Sequence, residues 1–177
     1  ALLRHGVRVN VEADSLNAAV VGPDVDPANS VWQTLLRDVV REMSEKSGQK
    51  CTATRRILVP AALLERLLEE VADRLALLKV GNPATQGVEI GPVATKQQMA
   101  DVHAGCARLR AATKVVFGKE RPDALVDVPP GRGFFCGPML FVAADEKGIA
   151  EAHRDEVFGP VAVVIPCDGK VESAGER

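Results

Sequence analysis

The chain has 177 residues, 46% hydrophobic and 26% charged, enough for one domain with a substantial core. A net charge of −2 gives no electrostatic reason to invoke nucleic acid or an anionic membrane surface, and no apolar run approaches the roughly 20 residues that span a bilayer. Cys51, Cys106, Cys136 and Cys167 show neither C-x-x-C spacing nor a histidine at metal-ligand spacing, so no metal site is expected. With no export signal a disulfide framework is not expected either, and a reducing cytoplasm fits best. The opening Ala1-Leu2-Leu3-Arg4-His5-Gly6 is too short an apolar run for a signal peptide and lacks an initiating Met, so the chain reads as an internal piece of a longer protein.

In chain order, Val7, Val9 and Val11 alternate with Arg8, Asn10 and Glu12, which predicts a strand with Glu12 on its polar face at the C-terminal end. Open α/β sheets place ligands outside such ends, although on the pattern alone a solvated edge carboxylate is the plainer reading. Residues 18–21 predict a second strand, followed by a loop to Asn29. Ser30 and Gln33 read as a capping box for a helix with Trp32, Leu36, Val39, Val40 and Met43 inward. Lys46 suits the end of that helix and Gly48 the position just beyond it. Cys51 follows in a short loop, before a strand predicted over 55–59 and ended by Pro60.

A second helix turns Leu64, Leu67, Leu68, Val71, Leu75 and Leu78 inward, and residues 80–92 form a Gly/Pro-rich connection. Thr95 and Gln98 open a third helix with Met99, Val102, Cys106 and Leu109 on one face. Cys106 is therefore read as core, and His103 as a surface or satisfied histidine. A strand is expected over 115–117, a loop over 119–133, and two strand pieces within 134–142 broken at Gly137-Pro138, with Cys136 packed there. A helix over 146–154, a turn over 157–160, a buried strand over 161–165 and a fraying polar tail from 168 complete the order. Strands alternating with helices indicate an α/β fold with an open, largely parallel sheet and flanking helices.

Cys51 differs from the other cysteines because it lies in a loop, beside Lys50 and close to Arg55 and Arg56. Positive neighbours favour the thiolate, which is the nucleophile; on spacing alone an inert half-buried thiol is an equal reading. A carboxylate at one strand end and a thiol on a later loop could converge at one sheet edge. That pairing suits a covalent thioester mechanism in which a base activates water. Gly131-Arg132-Gly133 lacks both the spacing and the following helix of a phosphate-binding loop.

Gly48-Gln49-Lys50-Cys51-Thr52-Ala53 resembles the Gly-Gln-x-Cys motif of the aldehyde dehydrogenase superfamily, and Glu156-Val157-Phe158-Gly159-Pro160-Val161 resembles its Glu-x-Phe-Gly-Pro motif. Val80-Gly81-Asn82-Pro83 and Gly91-Pro92 fall in the expected order between them. The resemblance implies the catalytic domain of that family. Cys51 would be the nucleophile and Glu12 the general base, while Glu156 would hold the nicotinamide ribose of NADP or NAD and Phe158 would pack by the ring. The family's Glu-Leu-Gly-Gly-Lys reads here Glu12-Ala13-Asp14-Ser15-Leu16-Asn17, keeping the Glu but not the glycines or the Lys. This form, with Val39-Val40-Arg41-Glu42-Met43 and Cys51-Thr52-Ala53-Thr54-Arg55-Arg56, is similar to the semialdehyde dehydrogenases of CoA-dependent aromatic degradation, in the phenylacetate and 3,4-dehydroadipyl-CoA branches.

It follows from the resemblance that residues 1–12 are the end of a dinucleotide-binding domain and 13–177 a truncated catalytic domain. The expected partner is a small-molecule aldehyde, CoA-linked where the chain follows that branch, in an enzyme that forms homo-oligomers when whole. A CoA-acylating dehydrogenase and a non-catalytic homologue stand as alternatives, and the isolated fragment is expected to be inactive.

Overall fold

The computed structural model describes residues 15–168. The strand expected over 7–11, Glu12 and the tail beyond 168 lie outside the described residues. Among the described residues five strands form one sheet: β1 (Asn17–Val20), β2 (Thr54–Pro60), β3 (Lys114–Phe117), β4 (Met139–Val142) and β5 (Val161–Cys167), in the order β1-β2-β5-β4-β3. Every pairing is parallel except that of β3 with β4, so the α/β fold with a largely parallel sheet is the one the chain forms.

Alternation along the strands divides the core between the two faces. Ile57, Val59, Leu140, Val142, Ala162 and Val164 pack under α1 (Ser30–Ser44) and α2 (Leu64–Ala76). Leu58, Met139, Phe141, Val161, Val163 and Ile165 pack under α3 (Lys96–Ala112) and α4 (Glu146–Arg154). Both faces of the central strand β5 are covered, which accounts for its unbroken apolar run. The inward positions expected on α1 are all buried, and on α2 Leu67, Leu68, Val71 and Leu75 are buried while Leu64 is partly so, as is Leu78, which lies just beyond the end of α2.

Three local expectations change. The cap of α1 is Asn29, one residue before Ser30: its side-chain oxygen accepts from Val31 N at 3.0 Å and Trp32 N at 3.2 Å. Gln33 is left to accept from Arg74 Nη2 at 2.7 Å. Asn29→Ala should therefore lower stability by about 1 kcal/mol, read from the urea midpoint, whereas Ser30→Ala should leave it nearly unchanged. The helix also stops at Ser44, so neither Lys46 nor Gly48 terminates it; both belong to a separate turn, Glu45–Gly48. Finally, residues 134–138 form no strand, and only Met139–Val142 pairs. Phe134 carbonyl instead accepts from Val93 N at 2.8 Å, and Gly137 N donates to Glu120 carbonyl at 3.0 Å, so these backbone groups bond to loops.

Candidate active site

Ser15 and Asn17 stand at the start of β1, Cys51 to Arg55 lead into β2, and residues 156–160 lead into β5. These strands are parallel neighbours, so all three segments meet at the N-terminal edge of the sheet. Its C-terminal ends close on Val20, Pro60 and Cys167, while the polar residues gather ahead of the strands.

Cys51 is exposed and in a turn, unlike the other three cysteines, which are buried. Burial pushes the Cys106 thiol up to about 12 and that of Cys136 up to about 11, which suits the packing roles expected for them. The carbonyl of Cys51 accepts from Ser15 Oγ and, at 2.7 Å, from Asn17 Nδ2; the same amide reaches Ala53 carbonyl at 3.2 Å. The segment that departs from the Glu-Leu-Gly-Gly-Lys pattern thus grips the Cys51 loop directly.

The cations near Cys51 in sequence are directed elsewhere. Lys50 Nζ sits 3.0 Å from Glu42 Oε1 and 2.8 Å from Glu45 Oε2, and the bond to Glu45 holds its ammonium above the ordinary lysine range. Arg56 donates to Leu16 carbonyl and lies against Nδ1 of His153. Burial, with the charge of Arg56, keeps that imidazole below its usual pKa, and since a guanidinium only donates, Nδ1 is the accepting atom of the contact.

Arg55 is the hub. Its side chain is 4% exposed, and Nε donates to Glu156 Oε1 at 2.8 Å. Nη1 donates to Gly159 carbonyl at 2.8 Å and Nη2 to Gly48 carbonyl at 2.7 Å. The guanidinium carbon also lies 5.5 Å from the centre of the Phe158 ring, within cation–π range. One planar fork therefore joins the Cys51 loop to the 156–160 loop.

Gln49 makes a second join: Nε2 donates to Phe158 carbonyl at 3.3 Å, and Oε1 accepts from Ala94 N at 2.9 Å. Gly48 completes it. A Cβ there would come within 2.2 Å of Gly159 carbonyl oxygen, so only glycine permits the approach.

Residues 2–175 match the aldehyde dehydrogenase family. The chain belongs to that family. It is 42% identical over 167 residues to the 3,4-dehydroadipyl-CoA semialdehyde dehydrogenase of Aromatoleum evansii, covering 93% of this chain and 32% of that protein. Among solved structures it is similar to the Mycobacterium tuberculosis aldehyde dehydrogenase complexed with NAD+, at 30% identity and a TM-score of 0.73, covering 90% of this chain and 30% of that one. HpcC from Thermus thermophilus gives the same TM-score of 0.73 at 26% identity, with 90% and 29% covered. The chain thus spans about a third of the length of these relatives.

For an aldehyde dehydrogenase chain the structure brings three of the four expected site residues to one edge: Cys51, Glu156 and Phe158; Glu12 lies outside the described residues. Arg55 was expected as a cation beside the thiol and not as a joint between loops, and the bonds of Gln49, Ser15 and Asn17 were not expected. A signal for Arg55 was available: it shares strand parity with Ile57 and Val59, and a buried arginine requires a carboxylate partner. For Gln49 the signal was its place as a fixed residue of the Gly-Gln-x-Cys motif. Among the described residues no group of three His, Cys, Asp or Glu side chains could hold a metal ion, and no helix is long and apolar enough to cross a membrane.

Proposed function

We propose that the intact protein is an NAD(P)-dependent aldehyde dehydrogenase that oxidises a CoA-linked semialdehyde from aromatic ring cleavage to its acid, through a thioester on Cys51. The observation that carries this reading is the double join, by Arg55 and Gln49, between an exposed thiol loop and the 156–160 loop. It holds a nucleophile and a carboxylate–aromatic pair in one frame. The name of the Aromatoleum relative supports the substrate class.

The residues fit a nicotinamide nucleotide. Arg55 engages Glu156 through Oε1, leaving Oε2 for a ribose hydroxyl, and the half-buried Phe158 offers a ring for an aromatic ligand. When bound, the nicotinamide supplies the hydride acceptor. Glu156 would orient the ribose and Phe158 the ring.

Cys51 attacks the aldehyde carbon as thiolate, and backbone N–H groups stabilise the oxyanion that forms. After oxidation the acyl group remains on Cys51 as a thioester. Glu12 then takes a proton from water, the hydroxide adds to the acyl carbon, and the thiolate leaves with release of the acid. Glu12 precedes Ser15 by three positions in the sequence, and Ser15 bonds the Cys51 carbonyl. In this reading residues 1–12 end the dinucleotide-binding domain, and the whole protein is a cytoplasmic homo-oligomer.

The test is to incubate the intact protein with a CoA-linked semialdehyde and NADP or NAD, follow nicotinamide reduction, and identify the product. A free carboxylate on the oxidised carbon is expected. A new CoA thioester at that carbon would assign the acylating class instead, and no reduction with any aldehyde would overturn the reading.

A further inference from the structure

We propose that Ser47 is a positioning residue for the Cys51 thiol, acting through a left-handed bend that its hydroxyl anchors. The proposal rests on the reading of Cys51 as the nucleophile. After α1 the chain must turn back to bring Cys51 to the N-terminal edge of β2. A single glycine just past the helix would serve that purpose. Instead Lys46 (φ 50°, ψ 32°), Ser47 (φ 58°, ψ 33°) and Gly48 (φ 71°) are left-handed in succession. Two of them carry a Cβ and are strained there. Such a conformation persists only where its surroundings over-determine it, and it is concentrated at functional sites.

The surroundings are specific. Ser47 is 3% exposed, and its Oγ donates to Gly91 carbonyl at 2.8 Å, with Pro92 carbonyl at 3.3 Å. On the other side of Gly48, Gln49 Oε1 accepts from Ala94 N of the same segment at 2.9 Å. Two side chains thus grip residues 91–94 from either side of Gly48, which itself rests on Gly159. The gripped segment leads directly into the cap of α3, whose Val102 closes on Gly159 from beyond.

Cys51 is exposed, so the direction of its thiol is set by the backbone on either side. At Cys51 and downstream that backbone is held by Asn17, through the carbonyls of Cys51 and Ala53. Upstream, Arg55 Nη2 holds the Gly48 carbonyl at the end of the bend, and the buried hydroxyl of Ser47 anchors the bend from within its two strained residues. Removing it frees the bend to relax toward right-handed geometry, and Cys51 with it.

The experiment compares Ser47→Ala and Ser47→Gly with the parent in the intact protein. Ala removes the hydroxyl and keeps the strain, whereas Gly removes both. Three quantities are read: the melting temperature, kcat and KM for aldehyde oxidation, and the rate at which iodoacetamide alkylates Cys51, located by mass spectrometry. Alkylation near neutral pH is selective because the other cysteines are buried.

Both variants should lose kcat by about tenfold or more, with KM little changed, since small misplacements of a reacting group are costly. Both should change the alkylation rate by about threefold or more, while Ser47→Gly melts within a few degrees of the parent. Parent-like alkylation in both variants overturns the proposal. So does a Gly variant that regains parent kcat and alkylation while the Ala variant loses them together with its melting temperature, because Ser47 would then serve stability alone. If the parent oxidises no aldehyde, the functional reading fails, yet the alkylation comparison still decides the role of Ser47.

Discussion

Cys51→Ala in the intact protein is expected to abolish aldehyde oxidation, with kcat down by about a thousandfold or more, because the proposed thioester forms on this thiol. Stability should change by less than about 0.5 kcal/mol, since the side chain is exposed. The two measurements belong together: nicotinamide reduction at saturating aldehyde and the urea midpoint of the same preparation. Turnover near that of the parent would remove Cys51 from the chemistry. The corresponding loss is not expected for Cys106→Ala or Cys136→Ala at the site, because those thiols are core atoms; their cost falls on packing.

Arg55→Met has the largest expected effect on the fold. It leaves Glu156, whose side chain is 9% exposed, without the cation that compensates it, and frees the carbonyls of Gly48 and Gly159. Breaking a buried pair from one side costs about 3–5 kcal/mol. Adding Glu156→Gln should recover a substantial part of that loss, because the stranded charge is gone, although the join between the two loops is not restored. Urea unfolding of the two single variants and the double variant reads the coupling. A cost below about 1 kcal/mol for Arg55→Met would place the pair among surface ion pairs and remove its structural role. Lysine should not substitute, because one ammonium cannot supply three divergent donors in a plane.

Much of the architecture was legible because it follows from periodicity. The apolar stripes of α1 and α2, the alternation of helices and strands, and the bounds of the helix Glu146–Arg154 are all carried by local pattern. The errors arose where two side chains competed for one job. Asn29 and Ser30 are both good caps, and which one closes the helix depends on the path of the incoming loop. The break at residues 134–138 was visible, but its consequence was not, since Phe134 carbonyl and Gly137 N find their partners in distant loops.

At the site, Cys51, Glu156 and Phe158 stood out through motifs. The charges around Cys51 were misleading: Lys50 adjoins it and Arg55 follows four residues on, yet Lys50 is claimed by Glu42 and Glu45 at the end of the preceding helix and Arg55 by the distant Glu156. The left-handed run at Lys46 and Ser47 had no sequence mark, because neither residue type announces a positive φ.

The strand order carries a consequence for how the molecule is made. β2 pairs with β5 through Arg56 with Val163 and Leu58 with Ile165, and the bond from Arg55 to Glu156 spans 101 residues of chain. During synthesis from the N-terminus, β1 and β2 can pair early and β3 with β4 later, but these remain two half-sheets until β5 emerges and inserts between them. The bonds from Arg55 to Gly159 and from Gln49 to Phe158 form only with that last insertion. The ribosome therefore delivers the thiol loop long before it delivers the 156–160 loop to which Arg55 and Gln49 bind it.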